Sequence, residues 1–362
     1  MRHANCFIVA EIGVNHNGSL DIAKQLIDVA TSAGADAVKF QTFDIDSLVS
    51  IGAPKAEYQK NTADAEESQY DMLQKLKLTT GSYRILQAYC KRKRIEFIST
   101  PFDEYSVDLL VRDLKLRILK VASGDLMNAP LLLKIGQSKK HVILSTGMST
   151  LGDVELALGI LAFGLTQSAS IRPSLLEFRR AYLSTLGQKS LAHHVTLLHA
   201  TSEYPTSFED VNLRAMDTLA AAFHLSVGLS DHTLGITVPI AAVARGATVI
   251  EKHLTLDRSM QGPDHLASLE PGEFRELVRS IRQVEKALGT PMKLPTFVEE
   301  KNAKVVRRSI VAAYPIKKGE VFTADNLAVK RPGTGLSSLY YWEMIGKIAD
   351  KFYEKDELIP WT

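Results

Sequence analysis

The sequence has few of the residues that mark specialised protein classes. Its 362 residues include two cysteines, Cys6 and Cys90, too few for a disulfide framework or a metal-binding spacing. No run approaches the ~20 apolar residues of a membrane span, and the N-terminal run lacks a signal-peptide cleavage site. The net charge is only +2, and the basic cluster KRKR at 91–94 ends a predicted helix, where cations favour the helix dipole. These absences predict a cytoplasmic protein with free cysteines that binds a small molecule, and neither nucleic acid nor membrane.

Short β-rich apolar runs alternate with helix-like segments along most of the chain. One such segment, 19–35, places apolar residues at helical spacing and stops at Gly34. Parallel strands covered by helices give this alternation. Eight such units favour a (β/α)8 TIM barrel over a doubly wound sheet, whose glycine-rich first turn is missing. The runs are 7–13, 37–43, 96–102, 118–124, 142–148, 195–201, 226–232 and 249–255.

The composition changes after the last helix of the predicted barrel. We predict a catalytic barrel at 1–289, a proline-containing linker at 290–300 and a small second domain at 301–362. Two connections between strands are long. The first contains a polar stretch, 44–66, that is a candidate lid at the C-terminal side of the barrel, and the second contains an inserted helix near 173–186.

Two lysines within the predicted strands indicate the substrate class. Lys39 and Lys120 stand in otherwise apolar runs, and a closed barrel has no edge strand on which to expose them. Inward-facing ammonium groups need anions, and the hydroxyls of Thr100, Ser123, Ser145 and Ser230 would surround them at the strand ends. This donor-rich set favours a phosphate. The residues leave a second interpretation open, in which a desolvated lysine forms a Schiff base as in an aldolase.

Two histidines end consecutive predicted strands. His232 and His253 would lie on neighbouring strands, about 5 Å apart, and could hold a divalent metal with positions left for water and substrate. Ser230 shares the face of His232, whereas Asp231 points the other way by strand alternation. With two protein ligands the site would be open, as expected for Mn²⁺ or Mg²⁺.

Many separated motifs together resemble the sialic acid synthase family, the bacterial nonulosonic acid synthases. They occur in register over nearly the whole chain, and the sequence is identified as a member on their combination: FIVAEIGVNHNGSLDIAKQLIDVA, KFQTF, FISTPF, KVASGD, ILSTGM, GLSDHTLG, IEKHLT, QGPDH and VKRPGTG. The resemblance implies condensation of phosphoenolpyruvate with an open-chain N-acetylmannosamine-type sugar to a nine-carbon 2-keto acid, with release of phosphate. It also implies a barrel followed by an antifreeze-like (SAF) domain, and a domain-swapped homodimer.

The resemblance also assigns roles to residues of this sequence. His232 and His253 would bind the metal, Mn²⁺ first and Mg²⁺ or Co²⁺ as alternatives. Glu11 and Glu251 would transfer protons, and the resemblance does not assign separate steps to the two. The sugar would contact Gln41, Asp264 and Arg331, the last from the other subunit. Phosphoenolpyruvate would contact Lys39, Thr100, Lys120, Ser123, Ser145, Tyr204 and Ser230.

Some features depart from the family pattern or distinguish its branches. Ser202 stands where several members have asparagine, which leaves that contact undefined. TSEYPTS, the KAEYQKN stretch at 55–61 and the inserted helix resemble the legionaminic acid synthase branch, whose acceptor is a 2,4-diacetamido-2,4,6-trideoxymannose. A non-enzymatic alternative treats the last 60 residues or so as a carbohydrate-binding module on an inert barrel.

Overall fold

A computed structural model describes residues 5–50, 52–55, 68–167 and 170–361. The chain divides into two compact units, Met1–Gly289 and Thr290–Thr362. Within the described ranges no helix is both long and apolar enough to cross a membrane.

Eight parallel strands of the first unit form a closed barrel in chain order. This confirms the predicted TIM barrel, with each strand at the position of a predicted run. The strands are β1 (Phe7–Gly13), β2 (Ala37–Thr42), β3 (Glu96–Pro101), β4 (Ile118–Val121), β5 (His141–Ser145), β6 (Val195–Ala200), β7 (Ser226–Asp231) and β8 (Val249–His253).

Helices surround the barrel and connect its strands. They are α1 (Leu20–Ala33), α2 (Ile45–Leu48), α3 (Gln69–Leu76), α4 (Thr80–Lys93), α5 (Glu104–Asp108), α6 (Ala129–Gln137), α7 (Leu151–Thr166), α8 (Leu175–Leu183), α9 (Thr185–His194), α10 (Ala215–Phe223), α11 (Thr237–Ala244) and α12 (Pro271–Leu288). Their apolar faces pack on the outside of the strands and form the main hydrophobic core.

Helix α1 shows how local sequence sets these elements. The Ser19 side chain accepts a hydrogen bond from the Ile22 amide and starts the helix, and Gly34 ends it at φ 86°, a left-handed conformation that favours glycine. Its buried face includes Leu26 and Ile27. Burial of each such side chain contributes about 2 kcal/mol, so packing against the barrel stabilises the helix.

The insertion before β6 consists of two helices rather than the single helix predicted near 173–186. Ser184 separates α8 from α9 because its backbone is extended and its side chain caps the Gly187 amide. A side chain at Gly187 would place its Cβ 1.9 Å from the Ala181 carbonyl oxygen, so this close turn requires glycine. The candidate lid is described in part: α2 lies within it, whereas residue 51 and residues 56–66, which include most of the KAEYQKN stretch, lie outside the described residues.

The second unit has its own small core. Two antiparallel strands, β9 (Ser309–Ala312) and β10 (Leu327–Lys330), form its sheet, and Phe322 and Tyr353 are among its buried side chains. A helix, α13 (Phe297–Val306), occupies part of the stretch predicted as a linker. Thr296 and Glu299 cap it reciprocally, a signal that the sequence carries as T-x-x-E. The last helix is α14 (Tyr341–Met344).

Candidate active site

The inward-facing side chains of the barrel form two layers of opposite character. Because alternate strand residues share a face, β1 presents Phe7, Val9 and Glu11 to the interior in that order. The lower layer, at the strand beginnings, is a buried apolar cluster: Phe7, Val9, Ala37, Ile98, Ile118, Ile143, Leu198 and Val249. Two residues further along each strand, the positions become mainly polar: Glu11, Lys39, Thr100, Lys120, Ser145, Ala200, Ser230 and Glu251. The polar layer therefore lies at the C-terminal mouth, above an apolar floor.

Two buried lysines share the carboxylate of Glu251. Lys39 Nζ lies 3.7 Å from Glu251 Oε2 and 2.9 Å from Glu11 Oε2, and Lys120 Nζ lies 3.9 Å from Glu251 Oε1. Burial would lower the pKa of Lys39, but the two glutamates outweigh burial and raise it. Burial dominates for Lys120 and lowers its pKa to about 8. Lys39 is therefore firmly cationic, whereas Lys120 can lose its proton near neutral pH.

The two glutamates have opposite pKa shifts although both are buried. Burial raises the pKa of Glu11, and the nearby Lys39 only partly offsets this rise. Burial also acts on Glu251, but Lys120, Lys39 and a hydrogen bond from Ser230 outweigh it and lower its pKa. The ionised Glu251 accepts that bond at 2.9 Å. Such a split between neighbouring carboxyl groups is typical of an acid and base pair.

Hydroxyl groups surround the lysines. Lys39 Nζ donates to Thr100 Oγ1 at 3.3 Å, and Lys120 Nζ donates to Ser145 Oγ at 2.5 Å. Ser123 Oγ accepts a hydrogen bond from the Gly147 amide at 3.0 Å. A Cβ at Gly147 would lie 2.7 Å from Ser123 Oγ and 2.6 Å from Ser202 Oγ, so this glycine lets the two serines approach.

His232 directly follows β7 and His253 ends β8. Their rings lie side by side, with centroids 5.5 Å apart. His232 Nδ1 donates to the Thr201 carbonyl oxygen at 2.7 Å, which leaves Nε2 with its lone pair. Burial lowers the pKa of His232 to about 4 and that of His253 well below its usual value, so both rings are neutral. Tyr204 packs on His232 at a centroid distance of 4.0 Å.

The residues expected to contact the sugar belong partly to this site. Gln41 Nε2 donates to Glu11 Oε1 at 3.5 Å, and Asp264 Oδ2 lies 3.8 Å from His253 Nδ1. Burial raises the pKa of Asp264 to about 6. Arg331 is an exposed residue of the second unit, where its Nε donates to the Val306 carbonyl oxygen at 3.0 Å.

A cavity of about 520 Å³ joins these side chains and has an apolar wall that the sequence did not reveal. Every predicted site residue except Arg331 lines it, together with Ser202. The wall residues follow β1, β2 and β3 or lie on α2 and α3, in segments without strand alternation: Val14, Leu48, Val49, Met72, Leu73 and Phe102.

A second buried ion pair connects β7 and β8 on the side away from the cavity. Lys252 Nζ lies 2.5 Å from Asp231 Oδ2, and both side chains are almost completely buried. Asp231 also accepts hydrogen bonds from Thr233. By alternation these residues point away from the cavity, and this is the direction that the sequence predicts for Asp231.

Comparisons with known proteins agree with this architecture. The NeuB family profile matches residues 26–293, and the SAF domain profile matches 307–362. The chain is 48% identical to N,N'-diacetyllegionaminic acid synthase of Campylobacter jejuni, over 97% of this chain and 98% of that protein. It is 45% identical to the Legionella pneumophila protein of the same name, over 94% and 89% of the two chains.

A solved structure gives the same result. The N-acetylneuraminic acid synthetase of Leptospira borgpetersenii, crystallised with citrate, is 30% identical with a TM-score of 0.66, and the match covers 82% of this chain and 90% of that one. These findings confirm the resemblance drawn from the motifs: the chain belongs to the NeuB family and carries a SAF domain.

Proposed function

We propose that the chain condenses phosphoenolpyruvate with an N-acetylmannosamine-type amino sugar, forming a nine-carbon nonulosonic acid and releasing phosphate. Its family membership makes it a phosphoenolpyruvate-dependent, C–C bond-forming transferase, which disfavours the inert-barrel alternative. The observation that carries the proposal is the pair of buried lysines around Glu251, next to two neutral histidines. We propose that the enzyme acts in the cytoplasm.

The lysines and hydroxyls suit a small, highly charged substrate. Phosphoenolpyruvate carries a phosphate and a carboxylate, and Lys39 and Lys120 supply two positive charges within a water-poor site. Thr100, Ser145 and Ser230 offer hydroxyl donors beside them. We propose that these groups, with Ser123 and Tyr204, bind the two anionic groups.

The histidines fit a divalent metal. His253 Nδ1 is buried without a hydrogen-bond partner among the described residues, and the neutral ring of His232 keeps the Nε2 lone pair that a metal requires. In the described part of the chain, no group of three or more His, Cys, Asp or Glu side chains could hold a metal, so the site would be open to substrate. When bound, Mn²⁺, or Mg²⁺ or Co²⁺ in its place, would polarise the sugar aldehyde.

The opposite pKa shifts suggest separate roles for the glutamates. As C3 of phosphoenolpyruvate bonds to the aldehyde carbon, the protonated form of Glu11, which its raised pKa makes available, gives its proton to the aldehyde oxygen. The ionised Glu251 accepts a proton from the water that adds to C2. Cleavage of the bond between C2 and the phosphate oxygen then releases phosphate, which takes the proton of the C2 hydroxyl, and leaves the 2-keto acid. Gln41 and Asp264 lie on the Glu11 side, where the sugar would bind.

The cavity wall supports a deoxy, diacetamido acceptor. A 2,4-diacetamido-2,4,6-trideoxymannose has three methyl groups, and the wall that contains Leu48, Met72 and Phe102 offers them apolar contacts. The two relatives described above are named for the corresponding product. We therefore propose this sugar over N-acetylmannosamine as the acceptor.

A phosphate-release assay tests the reaction and the acceptor together. The protein is mixed with phosphoenolpyruvate, Mn²⁺ and either sugar, and the product is identified by mass spectrometry. We expect release with the trideoxy sugar and little with N-acetylmannosamine. Release with neither sugar would exclude the reaction, and a preference for N-acetylmannosamine would exclude the acceptor assignment.

Metal binding is tested separately by Mn²⁺ titration followed by electron paramagnetic resonance. His232→Ala should abolish tight binding, whereas His193→Ala, which changes an exposed histidine, should bind as the unaltered protein does. Equal binding by both variants would rule out the histidine pair as the metal site.

We also propose a domain-swapped homodimer in which Arg331 of the partner subunit reaches the sugar. Mixing Arg331→Ala protein with His232→Ala protein under subunit exchange should restore part of the activity, because one of the two sites would then be intact. Exchange without recovery would argue against shared sites.

The Schiff-base alternative rests on one observation, the lowered pKa of Lys120. Borohydride treatment with pyruvate would trap a covalent adduct at Lys120 if the lysine acted as a nucleophile. We expect no adduct, because a lysine that only binds an anionic group of the substrate forms no covalent bond to it.

A further inference from the structure

A second cavity, of about 940 Å³, opens at the strand beginnings, on the opposite mouth of the barrel from the candidate active site. Its floor includes Phe7 and Ile118, which also belong to the apolar cluster inside the barrel. That cluster separates the two cavities, so the second one is not an extension of the catalytic centre. We call it the basal pocket.

The basal pocket has a concentration of positive charge. Four basic side chains line it, Arg117, Lys139, Lys140 and Lys189, against one carboxylate, Glu96. This excess of three positive charges is larger than the net charge of +2 carried by the whole chain. Repulsion between such groups disfavours their clustering on an otherwise balanced surface, so the cluster points to an anionic ligand.

Ion pairs between described residues leave most of this charge without a partner. Arg117 Nη2 lies 2.6 Å from Glu96 Oε2. No ion pair involves Lys139, Lys140 or Lys189 among the residues with described positions. The three lysines come from two separate segments, since Lys139 and Lys140 follow α6 and Lys189 lies on α9. Their convergence is therefore a property of the fold and does not follow from one basic run of sequence.

The rest of the lining suits an organic molecule rather than a bare ion. His141, His193 and His194 contribute imidazole rings, and Phe7, Ile118 and Ala192 contribute apolar surface. Burial lowers the pKa of His141 to about 4, so this ring is neutral and can face a planar group. The volume lies at the upper end of the range of roughly 300–1,000 Å³ found for small-molecule sites.

We propose that the basal pocket binds a multiply charged organic phosphate of nucleotide size. The phosphates would lie against the three lysines, whose ammonium groups act as point charges for phosphate oxygens. The organic part would lie against the imidazole rings and the apolar floor. The same ligand would contact the beginnings of β4 and β5, whose other ends carry Lys120 and Ser145. The site is independent of the proposed condensation reaction.

Calorimetric titration with ADP, in metal-free buffer at physiological salt, tests the proposal. The pocket variant is Lys139→Ala/Lys140→Ala/Lys189→Ala. The control variant, Lys91→Ala/Lys286→Ala/Lys318→Ala, removes equal charge at exposed positions outside the pocket. We expect the full chain to bind ADP at one site that weakens about tenfold or more in the pocket variant and persists in the control. Adenosine, which has no phosphate, should not bind.

Four outcomes would overturn the proposal: no ADP binding, unchanged binding in the pocket variant, equal weakening in both variants, or equal binding of adenosine. Unchanged binding in the pocket variant would mean that ADP binds elsewhere, including at the lysines of the catalytic centre. Equal weakening would mean attraction by net charge alone. The thermal unfolding midpoint of each variant is compared with that of the unaltered protein. We expect all to fold, because Lys140 is half-buried and the other substituted lysines are exposed.

Discussion

The lowered pKa of Lys120 predicts an alkaline limit to the activity. Lys120 carries the positive charge that we assign to phosphoenolpyruvate binding, and its pKa is lowered to about 8 because the side chain is buried beside Lys39. The charged fraction falls as pH rises through this value, reaching about one tenth at about pH 9. Because kcat/KM reports the free enzyme, loss of this charge should contribute a fall of about tenfold per pH unit above the pKa. This fall adds to the one expected as Glu11, whose pKa is raised to about 7, loses its proton. Bound substrate would stabilise the charge, so kcat should decline only at higher pH.

Steady-state phosphate release measured from about pH 6.5 to 9.5 gives both profiles. The matched variant is Lys120→Arg, which keeps its charge over this range. Its absolute activity should drop because the guanidinium is larger, but its kcat/KM should decline less steeply above about pH 8, because only the loss of the Glu11 proton then contributes. Lys39 does not account for the decline, because its pKa is raised. An unchanged alkaline limb in Lys120→Arg, or its absence from the unaltered protein, would refute the reasoning.

Three further predictions concern stability, each measured by urea unfolding. Lys252→Met leaves the buried Asp231 without its charged partner and should lower the free energy of unfolding by about 3–5 kcal/mol. Adding Asp231→Leu to the same chain should restore most of this loss. A loss below about 1 kcal/mol in Lys252→Met would contradict the prediction. Burial lowers the pKa of His16 to about 4, so on acidification the unfolded state binds a proton before the folded state does, and the fold is destabilised. Between pH 7 and 5 the free energy of unfolding of the unaltered protein should fall by about 2 kcal/mol more than that of His16→Gln. Equal losses would contradict this. In Gly228→Ala the new Cβ would lie 2.2 Å from a carbonyl oxygen of β8, and this clash should cost about 2 kcal/mol or more of stability. In the control Gly272→Ala the Cβ meets nothing within 4 Å, so the change should be neutral or stabilising. Similar unfolding free energies for the two variants would be inconsistent with the clash.

The sequence predicted the barrel and its polar layer because both depend on short-range periodicity. Strand alternation places Lys39 above Ala37 and Lys120 above Ile118, and the structure has both lysines inside. The apolar wall was not predicted, since Leu48 and Met72 lie in segments whose direction is set by tertiary packing. Lys252 was also missed. A lysine between two cavity-facing residues gives no sign of full burial until its partner, Asp231, is known.

The division of roles between the glutamates shows what residue identity alone leaves open. Glu11 and Glu251 have the same side chain, both end up buried and both face the same cavity. Their pKa values diverge because Glu251 lies between two ammonium groups and accepts a hydrogen bond from Ser230, whereas Glu11 contacts only one of those lysines closely. The difference therefore depends on distances of a few ångström between side chains of five strands. Alternation predicts which residues face the cavity, but only the assembled barrel determines which carboxyl group holds a proton.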